Sequence, residues 1–139
     1  MRPYPTNSPR ALARVVAMAI VTDARLDHRE LQVLDDLDAY AILGLTRAEF
    51  LEVVHQYCQD LLAEGSGAER IRLLDPQRIG RVLDEVTDPR LRVRVCGLLL
   101  NVCDADGRFH EAELAFLHQV LERWGLTLES LRQALAETA

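Results

Sequence analysis

Two segments of the chain are apolar on almost every side at helical spacing, and the rest of the chain must wrap around them. The first runs from about Arg10 to Thr22 and carries Leu12, Val15, Val16, Ala19 and Ile20. The second is LRVRVCGLLLNVC, residues 91–103. A surface helix shows one apolar stripe, whereas a helix that is apolar all round has to be buried. Neither segment approaches the ~18–20 apolar residues that span a bilayer; the longest uncharged stretch near the N-terminus is only VVAMAIVT. Both are therefore expected to be core helices of a globular bundle.

The other segments supply the wrapping. Asp27 stands at an N-cap position with Glu30 three residues on, and the helix it opens is expected to turn Leu31, Leu34, Leu37 and Ala41 inward and to stop at Gly44. Thr46-Arg-Ala-Glu49 is a capping box for a third helix with Phe50, Val53, Val54, Tyr57 and Leu61 on one stripe. EGSG at 64–67 is the clearest internal break. Asp75-Pro76 and Asp88-Pro89 each pair an N-cap with proline at the first helical position. The helix after Asp75 bears Ile79, Val82, Leu83 and Val86. A later one bears Leu114, Leu117, Leu121 and Trp124 and stops at Gly125, and Thr127 caps a last helix with Leu128, Leu131 and Leu135. No segment reads as a strand. The expectation is an all-α, compact, single-domain bundle of about seven helices over residues 10–139, preceded by a flexible arm at 1–9 with Pro3, Pro5 and Pro9.

Length and charge narrow the function. With 139 residues the chain suits one domain with a real core. Its net charge of −6 and lack of a basic block argue against a nucleic-acid partner. The N-terminus has no apolar signal core, and the three cysteines form no CxxC pair. Cys96 and Cys103 would stand about 10 Å apart along one helix, too far for a disulfide. Reduced thiols and a cytoplasmic location are expected.

The segment MAIVTDARLDHREL (18–31) matches NVCDADGRFHEAEL (101–114), with Asp23 on Asp106, Arg25 on Arg108, Glu30 on Glu113 and Leu31 on Leu114. Each copy follows a buried helix, and each helix after it ends at Gly-Leu-Thr (44–46 and 125–127). The duplication implies a pseudo-two-fold arrangement centred on the two buried helices. Glu30 and Glu113 fall at the third helical position, where capping alone explains a carboxylate. Asp23, Asp104 and Asp106 fall at or just past a helix C-terminus, where negative charge opposes the macrodipole by about 0.3–1 kcal/mol each when exposed. A bound cation would reverse that sign.

Residues 104–114 also look like the later part of an EF-hand loop, with Gly107 at the sharp turn and Glu113 at the bidentate position. Val102 stands at the first ligand position, however, and the sister turn lies about eighty residues away with Ala24 where glycine is wanted. A paired EF-hand is not expected. If the two turns meet, Asp23, Glu30, Asp104, Asp106 and Glu113 offer an all-oxygen site, with Asp27 and His110 as further candidates. Oxygen donors suit calcium, magnesium or manganese, and His110 would pull the preference toward zinc. The alternative is a solvated acidic turn with no ion. His55 and His118 read as ordinary surface or half-buried residues.

A buried helix, an acidic turn and an amphipathic helix, repeated across an all-helical domain, resemble the TerB-like tellurite-resistance family. The residues that carry the match are Asp104-Ala-Asp-Gly107 with Glu113-Leu114, and Thr22-Asp23-Ala24 with Glu30-Leu31. The resemblance implies a bacterial bundle of about seven helices, in the cytoplasm or at the inner face of the membrane, with a cation site of acidic residues and a stress-response role among protein partners. A related domain opens the membrane co-chaperone DjlA, which implies an interaction module. Ala24 in place of glycine departs from the family pattern in the first turn. No tellurite chemistry follows from the sequence, and the expectation is a cation-binding, non-enzymatic module. A metal-free protein-interaction scaffold and, last, a metal-dependent hydrolase stand as alternatives.

Overall fold

The computed structural model describes residues 3–22, 25–26, 28–64, 76–103 and 111–138; within these, the side chains of 22, 25, 26, 64, 76, 78, 103, 111–114 and 134–138 lie outside the description. Helix α1 (Pro9–Ile20) starts with proline at its first position, and the Ser8 hydroxyl accepts from the Ala11 N–H at 3.2 Å. Every residue of α1 from Ala11 to Ile20 is buried. Its end differs from expectation. The helix stops at Ile20, and Val21–Thr22 (β1) pairs antiparallel with Arg25–Leu26 (β2), Val21 opposite Leu26. The pairing is a two-residue ladder, too short to add a layer, and Val21 itself is buried in the core.

The segment expected to be one helix up to Gly44 is two: α2 (His28–Asp36) and α3 (Ala39–Leu43). Asp38 sits between them at φ 51°, the left-handed region that breaks the helical hydrogen-bond ladder. The break shifts the apolar phase. Leu37 is 40% exposed and Ala41 is exposed, while Ala39, Tyr40 and Leu43 take the inward positions. The described residues therefore hold eight helices where seven were expected. Helix α4 (Arg47–Glu64) buries the expected stripe of Phe50, Val53, Val54, Tyr57 and Leu61. Then come α5 (Pro76–Leu83), α6 (Pro89–Cys103), α7 (Glu111–Trp124) and α8 (Leu128–Thr138). In α8 Leu131 is buried as expected, but Leu128 is 60% exposed.

The two all-round apolar helices lie against each other. Helix α1 packs mainly on α4 and α6, and α6 also receives α2, α7 and α8. Each buried helix is thus covered by the helix that follows its own Gly-Leu-Thr, α4 over α1 and α8 over α6. The repeat extends to single hydrogen bonds. Gly44 and Gly125 both adopt positive φ (88° and 68°), and the next residue's N–H reaches back five residues, Leu45 to Tyr40 O at 2.9 Å and Leu126 to Leu121 O at 2.8 Å. The threonines then cap reciprocally. Thr46 exchanges bonds with Glu49 at 3.0 and 3.1 Å, and Thr127 with Ser130 at 2.9 and 3.0 Å.

Trp124, buried beside the Gly125 stop, donates its indole N–H to Leu83 O at 3.1 Å and so ties α7 to α5. Helix α6 begins as its Asp-Pro pair predicts, the Asp88 carboxylate accepting from the Arg90 N–H at 2.9 Å. No helix among the described residues is long and apolar enough to cross a membrane.

Candidate functional site

The two acidic turns follow α1 and α6, helices that touch along the centre of the fold, and α2 leaves the first turn to pack on α6 itself. That is where the structure puts their flanks. Of the ligand candidates, Asp23, Asp27, Asp104, Asp106 and His110 lie outside the described residues, and of Glu113 only the backbone, in the first turn of α7, is described. Among the described side chains no three acidic, histidine or cysteine groups come together as a metal cluster.

Glu30 is the one candidate ligand whose side chain is described, and it is only 6% exposed. Its position is the third of α2, as the capping pattern predicts. Glu49 occupies the same position in α4 and performs the capping role from an exposed site. The Thr46 backbone N–H, and then its hydroxyl, hold the Glu49 carboxyl below the usual carboxylate range. Capping therefore works from the surface and does not call for burial. Glu30 differs from Glu49 in being buried, and buried carboxylates are ordinarily paired.

Helix α1 ends at Ile20 and α6 at Cys103.

The model of the family described as tellurite resistance protein TerB matches residues 9–136 of the chain. The chain belongs to the TerB family. No curated protein and no solved structure gives a significant match. The match spans both copies of the duplicated unit, with all eight helices within its bounds except the end of α8, and leaves the N-terminal arm outside.

Reading the TerB chain as a sequence missed three polar clusters. The Asp35 carboxylate accepts from the Tyr40 hydroxyl at 2.5 Å and from Arg47 Nε at 3.0 Å, and those two donors hold it below its usual range. Burial, and next the bond to Asp35, push the Tyr40 phenol well above its own. Arg123 binds Asp84 through two bonds, at 3.1 and 2.7 Å, and its guanidinium lies 3.2 Å from where a Cβ on Gly80 would stand. Only a glycine leaves room for that crossing of α7 over α5 without displacing the arginine.

The third cluster is buried. Arg14, in the middle of α1, is ion-paired with Glu85 and lies beneath the Tyr4 ring, 4.4 Å from its centroid. The signal was present in the sequence: Arg14 is the one charge in the run Ala11 to Val21. A charge inside an all-apolar helix must find a counter-charge in the core.

Proposed function

We propose that this TerB-family chain is a non-enzymatic helical module that binds a divalent cation through its two acidic turns and presents the loaded state to protein partners in a stress response of the tellurite-resistance type. The observation that carries the reading is that the repeated acidic turns follow α1 and α6, two helices packed against each other. Family membership over residues 9–136 and the packing of α1 and α2 on α6 support it. Glu30, Asp23, Asp104, Asp106 and Glu113 would hold the ion, with Asp27 and His110 beside them. An all-carboxylate donor set suits magnesium, calcium or manganese, and histidine in the set would favour zinc. The ion would cancel the repulsion among the acids and draw the two halves together. The same reading places the module in the cytoplasm or at the inner face of the membrane.

The second reading is a metal-free interaction scaffold with structural turns. Its support is Glu49, which shows a glutamate at this helical position acting as a cap alone. Thermal melting of chelator-stripped protein with calcium, magnesium, manganese or zinc separates the two. A ligand at a hundred times its dissociation constant adds about 2.7 kcal/mol, several degrees in a domain of this size. Asp106→Asn and Glu113→Gln should abolish that rise. A melting point that no metal moves would leave the scaffold.

A further inference from the structure

We draw no further inference here: the strongest candidate, the surface patch of exposed Leu37 and Ile42 flanking the α2–α3 break at Asp38, is an unpartnered apolar face, and nothing in the structure shows what covers it.

Discussion

Substituting Glu85→Ala should be among the most damaging single changes in the chain, although Glu85 lies in a turn. The Arg14 side chain is 2% exposed and that of Glu85 15%, so the pair is nearly cut off from water. Breaking a buried pair from one side costs about 3–5 kcal/mol, because the remaining charge loses that partner while staying out of water. The residual exposure of Glu85 favours the lower figure. Loss of the acceptor for the Tyr4 N–H adds about 1 kcal/mol. The expected total is about 4 kcal/mol, a large part of the ~5–15 kcal/mol that holds a domain together.

Urea unfolding reads this directly. With m near 2 kcal/mol/M, within the usual range of about 1–3, the midpoint should fall by roughly 2 M at unchanged m. Asp84→Ala is the control. It breaks the Arg123 pair, whose side chains are 50% and 59% exposed, and should cost at most about 1 kcal/mol. The double substitution Arg14→Met with Glu85→Met should be cheaper than Glu85→Ala alone, since no buried charge is left over. Equal losses for Glu85→Ala and Asp84→Ala would refute the reasoning.

Three further outcomes are expected. Gly125→Ala should cost about 1–2 kcal/mol from the left-handed backbone alone, since nothing lies within 4 Å of the added methyl; Gly80→Ala should be near neutral, its gain of helix propensity of about 1 kcal/mol offsetting the displaced exposed Arg123, as melting curves will show. Asp35 and Glu49 both titrate below their ordinary values, so their stabilisation is present above about pH 4 and is lost as pH falls through the folded-state values. The urea midpoint of Asp35→Asn should therefore approach that of wild type in acid, and a gap that stays constant with pH would contradict the assignment. Burial pushes the Cys96 thiol up to about 12, so mass spectrometry after native alkylation at pH 8 should find Cys96 unmodified, and reaction as fast as at half-buried Cys58 would be the contrary result.

Much of this fold is written in local chemistry. Caps, prolines and glycines announce Thr46, Asp88, Gly44, Gly125 and Thr127, and each acts as its residue type dictates, whereas Pro9, counted with the arm, is the first residue of α1. The split of α2 from α3 carries no such mark, because Asp38 is neither glycine nor proline; its left-handed backbone accompanies the burial of Tyr40 and Leu43 in α3. Leu37 and Leu128 were misassigned because helical periodicity marks a face and not the neighbour that covers it. For the candidate site the sequence offers a donor set, in the repeated Asp and Glu spacing. Spacing along a chain does not fix the distance between two turns some eighty residues apart. Arg14 was legible as a misplaced charge, but its partner Glu85 lies 71 positions on and is found only by tertiary structure.

The central claim is that the two acidic turns share a single cation, and paramagnetic manganese tests it most directly. Titrated into the ¹⁵N-labelled, chelator-stripped chain, one equivalent of Mn²⁺ should broaden the amide signals of residues 23–30 and 104–113 together, along one binding curve. Asp106→Asn should remove the broadening from both segments at once. Broadening confined to one turn, or two curves with separate midpoints, would contradict a shared site.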